Sequence, residues 1–394
     1  MPRAKAPFHT VLLGFHGGDS YGVRGAGIAT LWARLSYAAP FERGLQSRSF
    51  LESDSLARGL RAVGRDLATT LSVLRDSIMS FEVRWPPQTF LNQIERFERG
   101  EQTSEERLDR ASRQALLGTH AYAASATVED MRKVSATDVH DWLTNVERPD
   151  NAELVIVGDF EPNGAFQMVE EALADWDSGP ATRASLPAAP APSEVAVRGG
   201  RLIVGNAPSV SQPRVEVECL LPPASAADWA AADVFEQMLA SRLFDDLRTQ
   251  IGASYSVLGS VERLRGGTTL LHVSADLDPL RMQTAFRKIR GFIDQKATSF
   301  FDEASVEQAR FDVGAHYHLG LDTSLQVAQR VLLAWRLDWP LEAVTRYPER
   351  LLHVRGDQVL RIAEHCRANW VVSVLGDEPK IKSAWAAAGQ PATP

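Results

Sequence analysis

Residues 134–160, VSATDVHDWLTNVERPDNAELVIVGDF, follow the same order of features as residues 353–379, HVRGDQVLRIAEHCRANWVVSVLGDEP. In each stretch an aspartate precedes a helical pattern, an asparagine follows it, and a β-rich run ends in Gly-Asp. The two copies are offset by about 218 residues, which is far longer than the period of a solenoid. The pattern has two explanations: one α+β domain occurs twice along the chain, or a common helix-then-strand ending coincides in two places.

A segment rich in Pro, Ala and Ser separates the two copies. Residues 177–193 read DSGPATRASLPAAPAPS, and such a composition has little apolar surface to bury and favours extended conformations. We therefore predict an N-terminal domain at residues 1–179, a linker at 180–193 and a C-terminal domain at 194–394.

Hydrophobic periodicity predicts both helices and strands in these domains. Leucine, valine and isoleucine recur at three- and four-residue steps over residues 54–80, which predicts a long helix. Strand-like runs are HTVLLGF (9–15), ELVIVGDF (153–160), RLIVGNA (201–207), RVEVECLL (214–221), SYSVLGSVE (254–262), TTLLHVSADL (268–277) and WVVSVLGD (370–377). The predicted class is α+β, with two homologous tandem domains that each pack helices on a mostly antiparallel sheet.

Composition narrows the classes of partner and compartment. The 394 residues are 44% hydrophobic and 23% charged with a net charge of −8, so we expect neither a nucleic-acid nor an anionic-membrane partner. The only cysteines, Cys219 and Cys366, stand far apart, and their spacing predicts neither a disulfide framework nor a thiolate zinc site. The apolar run Val11–Phe15 is too short for a signal peptide. We expect a cytoplasmic protein, or a periplasmic one if the true N-terminus is missing.

The stretch LRTQIGASYSV, residues 247–257, holds a candidate functional pair. It follows a predicted helix with Ser225 as its N-cap, and Gly252 is a natural helix stop because glycine takes the left-handed conformation. Arg248 then lies in the last helical turn and Tyr255 near the start of the next strand. By spacing alone, Arg248 could serve only the helix dipole and Tyr255 be an ordinary strand aromatic.

The remaining candidates for chemistry are weak. His316 and His318 are two positions apart, and residues at that spacing point away from each other on a helix. His120 and His272 have no carboxylate or cysteine at a diagnostic spacing, and no P-loop, dinucleotide or G-x-S-x-G motif occurs. The residues thus predict no metal or other cofactor in this chain.

Several segments together resemble one family of peptidases. They are the Arg/Tyr stretch with HAYAASATVEDMRKVSATDVHDWL (120–143), PDNAELVIVGDF (149–160) and SVEQARFDVGAHYHLGLDTSLQVAQRV (305–331). The chain resembles the insulinase/pitrilysin zinc peptidases, or inverzincins, in their mitochondrial-processing-peptidase-like branch. The resemblance covers nearly all of the chain and implies a half clamshell of two related domains.

In that family the first domain carries H-x-x-E-H, in which two His bind zinc and the Glu acts as general base. The matching stretch here is GAGIATLWARL, residues 25–35, where Thr30 and Arg34 replace the two His and Ala33 replaces the Glu. An alanine and a protonated arginine cannot ligate zinc. Glu95 and Glu98 fall where the third ligand is expected, but we interpret them as solvated helix charges.

The resemblance therefore implies a non-catalytic subunit of a two-chain peptidase. A homologous partner supplies the zinc, the substrate is a peptide, and Arg248, Tyr255 and Gly252 bind substrate, with Arg248 and Tyr255 stabilising the oxyanion. Such pairs occur in peptide maturation, including that of the pyrroloquinoline quinone precursor. Two alternatives stay open: an inert scaffold or peptide-binding protein of the same fold, and a stand-alone enzyme with unrelated chemistry.

Overall fold

A computed structural model of the chain describes residues 8–18, 27–36, 45–63, 66–79, 91–92, 94–96, 104–176, 200–223, 225, 228–294 and 302–389. Its strands are β1 (Phe8–His16), β2 (Leu45–Leu51), β3 (Ser55–Val63), β4 (Ala152–Val157), β5 (Arg201–Asn206), β6 (Arg214–Leu221), β7 (Ser254–Arg263), β8 (Thr269–Leu277) and β9 (Trp370–Gly376). Its helices are α1 (Ile28–Ser36), α2 (Leu67–Met79), α3 (Ser104–Leu117), α4 (Val128–Lys133), α5 (Ala136–Val146), α6 (Pro162–Ala172), α7 (Trp229–Phe244), α8 (Met282–Asp294), α9 (Glu303–Leu319), α10 (Ser324–Arg336), α11 (Glu342–Thr345), α12 (Tyr347–Leu352), α13 (Gly356–Ala368) and α14 (Glu378–Ala388).

The two sheets repeat one topology. The first has the order β2-β3-β1-β4, and the second has β5-β9-β6-β8-β7. If β6 to β9 are numbered 1 to 4 like β1 to β4, both sheets have the strand order 2-3-1-4. The second sheet has β5 as an additional strand, next to its strand 4. Every pairing is antiparallel except that of β5 with β9. The predicted α+β class is confirmed, and the shared strand order supports duplication over coincidence.

Each sheet belongs to a compact unit that takes one segment from the other half of the chain. The first unit comprises Met1–Gly100, Ala124–Ala188 and His318–Val344, and the second comprises Glu101–Ala123, Ala189–Tyr317 and Thr345–Pro394. Thus α10 packs on β1 and β4, whereas α3 packs on β5 and β9. The predicted boundaries at 179 and 194 stay a prediction, and the linker at 180–193 lies outside the described residues.

The first sheet is packed on both faces. Alternate residues of β1 point in opposite directions, so Val11, Leu13 and Phe15 join the core formed with α1, α2 and α5. Leu12 faces the other way and packs with Ala328 of α10.

The predicted helix over residues 54–80 is wrong. Residues 55–63 form β3, which pairs with both β1 and β2, and only Leu67–Met79 are helical. Gly59 lies opposite Leu12, and a Cβ at this position would come within 2.7 Å of the Leu12 side chain. Pairing with β1 and β2 therefore outweighs the helical periodicity of residues 55–63. The sequence analysis predicted neither β2 nor β3.

The two cysteines form a disulfide in the second unit. Cys219 on β6 and Cys366 on α13 are both buried and are bonded, although the sequence spacing predicted no such framework. They meet because α13 packs on β6. The two cysteines are 147 residues apart in the sequence, so their spacing could not predict this contact. The described residues contain no helix that is long and apolar enough to cross a membrane.

Candidate functional site

The degenerate zinc motif lies on α1. Thr30 is half-buried there, while Ala33 and Arg34 occupy helical positions whose side chains are outside the described part of the structure. Glu95 is exposed, and Glu98 lies outside the described residues. Because neither the alanine nor the arginine offers a metal ligand, the residues of α1 do not fit the zinc ion of the family motif.

The helix that carries Arg248 ends in an unusual turn. Helix α7 continues into a π-helical turn, Asp245–Gln250, which the sequence pattern did not predict. The turn closes at Gly252, whose φ is +58° and whose N–H donates to the Arg248 carbonyl at 3.0 Å. This is the left-handed helix end predicted for Gly252. The predicted N-cap is corrected: Asp228 occupies the N-cap position of α7 without a side-chain capping hydrogen bond, and the Ser225 hydroxyl donates to the Asp228 carboxylate.

A buried carboxylate stabilises the π-helical turn. Asp246 is 5% exposed and accepts hydrogen bonds from Arg242 at 3.0 Å and Lys288 at 3.2 Å. Lys288 also donates to the Gln250 side chain at 2.6 Å. Since Asp246 and Leu247 point inward, the next residue, Arg248, is directed to the surface at a defined place.

An irregularity in β7 places Tyr255 next to Arg248. The register with β8 shifts between Ser254 and Val257, so β7 carries a bulge there, and such bulges commonly reorient a side chain. Tyr255 is 81% exposed. The Arg248 guanidinium donates from Nη1 to the Tyr255 carbonyl at 2.5 Å, and its central carbon lies 4.3 Å from the centre of the Tyr255 ring. The structure therefore brings the predicted pair into direct contact.

This arrangement leaves hydrogen-bond donors available at the surface. Among the described residues, Arg248 forms no ion pair with a carboxylate, and the Tyr255 hydroxyl has no hydrogen-bond partner. The guanidinium is a fork of five N–H donors, of which the Tyr255 carbonyl occupies one, and the phenol can donate one more bond. Such a pair can bind carbonyl or carboxylate oxygens of a ligand.

The pair and the degenerate motif occupy equivalent elements of the two halves. Helix α1 connects β1 to β2, and α7 with its π-helical turn connects β6 to β7, which hold the equivalent places in the second sheet once the added strand β5 is set aside. The degenerate motif thus lies on α1 and Arg248 at the end of the corresponding helix α7, while Tyr255 lies on the strand that follows.

Comparison with known proteins supports the resemblance inferred from the sequence. Residues 133–312 match the family model of the peptidase M16 inactive domain. A protease from Helicobacter pylori has 16% identity and a TM-score of 0.79, with 95% of each chain covered. An M16 inactive-domain protein from Pseudomonas fluorescens has 15% identity and a TM-score of 0.76, with 95% of this chain and 94% of that one covered.

A further likeness is to a chain in the structure of complex III2 from Candida albicans with Inz-5 bound, at 11% identity and a TM-score of 0.77. It covers 98% of this chain and 96% of that one. No curated protein matches the sequence. The chain shares its fold with M16-like proteins of known structure. Its middle part, residues 133–312, matches the inactive domain of that family.

Proposed function

We propose that this chain is the non-catalytic but required subunit of a heterodimeric zinc endopeptidase. The observation that carries the proposal is the pair formed by the half-buried Arg248 and the exposed Tyr255, whose guanidinium has no carboxylate partner among the described residues. The match to an inactive M16 domain and the substituted motif on α1 support a chain that relies on a homologous partner for H-x-x-E-H.

In this proposal the partner supplies the zinc chemistry and this chain supplies hydrogen-bond donors. Arg248 binds carbonyl oxygens of an extended peptide, and Tyr255 donates to the oxygen that becomes negatively charged as the scissile carbonyl is attacked. Gly252 shapes the backbone that holds the two. The substrate class is a peptide or precursor peptide, and the pyrroloquinoline quinone precursor is one candidate to assay.

The proposal is tested with the reconstituted pair of full-length chains. Tyr255→Phe removes one hydroxyl and keeps the ring, so assembly should survive while turnover falls, by up to about 10² to 10³-fold for an oxyanion donor. Arg248→Lys should also lower turnover, because an ammonium cannot reproduce the planar fork. Arg361→Lys, on the exposed face of α13, is the matched control and should leave turnover unchanged. The isolated chain should hydrolyse no peptide.

Cleavage is measured at steady state, and assembly is followed separately by size-exclusion chromatography. Wild-type turnover by both Tyr255→Phe and Arg248→Lys in intact complexes would refute the proposed roles.

An inert scaffold or peptide-binding protein is the second candidate function. It is favoured by one observation, namely that a chain of the same fold occurs in complex III2. A neighbouring gene for a chain of similar length with H-x-x-E-H favours the peptidase subunit, whereas stable assembly with no effect of either substitution favours the scaffold.

A further inference from the structure

A cluster of charged side chains lies on the second sheet, where sequence spacing gave no indication of a site. Glu216 and Glu218 are two residues apart on β6 and so point to the same face of the sheet. His272 on β8 lies directly opposite Glu218 in the antiparallel register. The same face carries Leu220 and Leu270, which pack against α3.

The three side chains present one nitrogen and two oxygens to a common point. The His272 Nδ1 atom lies 3.1 Å from Oε1 of Glu218 and 3.8 Å from Oε1 of Glu216, and one ligand atom from each residue lies within 4.8 Å of the other two. Bonds of about 2.1 Å in tetrahedral geometry place two zinc ligands about 3.4 Å apart. The observed separations bracket this value, so a cation could bind with only small movements of the side chains.

A second layer of contacts orients the histidine. The other ring nitrogen, Nε2, lies 3.6 Å from Glu262 of β7, and Glu262 is itself held by Arg113 of α3 through two contacts of 2.8 and 3.0 Å. A metal-bound histidine commonly donates its second N–H to a carboxylate, which directs the lone pair of the first nitrogen toward the metal. Arg113 compensates the charge of Glu262, so Glu216 and Glu218 are left to balance a divalent cation.

The buried carboxylate of Glu218 is a second, independent observation in favour of a bound cation at the cluster. The Glu218 side chain is only 7% exposed, and its Oε2 atom has no hydrogen-bond partner among the described residues. A buried carboxylate oxygen without a partner is costly. A metal ion at the cluster would supply the missing partner.

We propose that Glu216, Glu218 and His272 form a binding site for one divalent transition-metal cation of the zinc class. One imidazole and two carboxylates suit zinc and its neighbours better than magnesium or calcium, which prefer oxygen ligands only. His272 and Glu216 keep side-chain exposures of 21% and 26%, so water can complete the coordination. The bound cation joins β6 to β8, and the proposal does not depend on the function proposed for Arg248 and Tyr255.

The competing explanation is that a protonated His272 takes the place of a metal. Burial alone would lower the pKa of His272, but hydrogen bonds to Glu218 and Glu262 raise it to about 10. An imidazolium would then serve as the cation between the carboxylates. The two explanations differ in whether added metal binds and whether it needs these three residues.

The test uses the full-length chain after removal of metal with a chelator. Zn²⁺ and Co²⁺ are titrated by calorimetry, the metal content is measured after dialysis, and Co²⁺ binding is followed by visible absorption. We expect about one equivalent per chain in the wild-type protein, with tetrahedral ligation reported by the Co²⁺ spectrum. His272→Gln and Glu216→Gln should reduce the bound metal to background.

Two further variants sharpen the result. His353→Gln removes an exposed histidine of the same unit and should keep the full equivalent. Glu262→Gln should weaken binding by about 10 to 100-fold, as expected for a carboxylate that orients a ligating histidine. Circular dichroism of each metal-free variant checks folding. If His272→Gln does not fold, the proposal is judged on Glu216→Gln, which changes a partly exposed residue. No saturable binding by the wild-type chain, or equal binding by Glu216→Gln, overturns the proposal.

Discussion

Reduction of the Cys219–Cys366 disulfide should strongly destabilise the second unit. The two sulfurs close a loop over a sequence separation of 147 residues. The chain-entropy relation for a loop of this length gives about 17 cal/mol/K, or about 5 kcal/mol at room temperature, because the cross-link restricts the unfolded chain. Both residues are buried, at 0% and 1% exposure, so the reduced thiols can remain packed and the effect should fall mainly on the unfolded state.

The assay must resolve the two units, since a chain with two compact units need not unfold in one step. We would measure urea unfolding by hydrogen exchange and mass spectrometry, with and without dithiothreitol. Peptides from β6 and α13 should lose protection at lower urea after reduction, while peptides from β1 and β3 serve as the internal control. The double variant Cys219→Ala/Cys366→Ala should be insensitive to dithiothreitol.

Two outcomes would contradict this reasoning. One is the alkylation of both thiols in the unreduced, denatured protein, which would show that no disulfide forms. The other is an unfolding free energy of the second unit that is the same with and without reductant. The result also bears on the compartment, because structural disulfides persist in oxidising environments. A retained disulfide would favour the periplasmic alternative over the cytoplasmic prediction.

Two further substitutions test the local physics around α7. Burial, followed by the nearby charge of Asp233, raises the pKa of Glu236 to about 7 from 4.5, so the folded state holds a proton that the unfolded chain releases. Stability should fall as pH rises from about 4.5 through about 7, by at most about 3 kcal/mol, and Glu236→Gln should abolish this loss. Urea titrations at several pH values check it, with the exposed Glu307→Gln unchanged; an equal pH slope in Glu236→Gln would refute it. Gly252→Ala should cost about 1 to 2 kcal/mol, because alanine is strained at φ +58° and its Cβ would lie 3.1 Å from Arg281. Gly314→Ala, within α9, should not destabilise the protein, and equal effects of the two substitutions would contradict the strain argument.

Hydrophobic runs predicted most of the two sheets but not all of their strands. Seven predicted runs correspond to β1 and β4 to β9, since each is rich in β-branched or aromatic residues and bounded by turn residues. The helix predicted over residues 54–80 was wrong in its first part because Leu56 and Leu60 fit a helical period. Gly59 was the local warning, as glycine weakens a helix interior by about 1 kcal/mol.

The candidate site was predictable in its composition and not in its geometry. Spacing across Gly252 suggested that Arg248 and Tyr255 lie near one end of the sheet. The π-helical turn and the bulge in β7 depend on the burial of Asp246 and on strand register, which no local pattern encodes. The His272 cluster and the disulfide likewise join residues from separate elements, so spacing along the chain could not reveal either one.

The duplicated fold gives a reason to treat α1 and α7 together. Each helix connects the first two of the four strands that the two sheets share, and each precedes or contains the residues that the family resemblance marks as functional. On α1, Thr30, Ala33 and Arg34 stand where the family resemblance implies H-x-x-E-H, and neither the alanine nor the arginine can bind metal. At the end of α7, a guanidinium without a carboxylate partner among the described residues stacks on an exposed tyrosine.

An inert scaffold has no need of such a pair, because an arginine without a carboxylate partner among the described residues and a solvent-facing tyrosine add little to stability. A subunit that binds substrate carbonyls for a partner needs both groups and does not need metal ligands on α1. The absence of H-x-x-E-H on α1 and the presence of the donor pair beside α7 are what a substrate-binding subunit would need, and this is why we propose that role ahead of the scaffold. Arg248→Lys discriminates between them, since lysine complements a helix C-terminus as well as arginine but cannot form the fork.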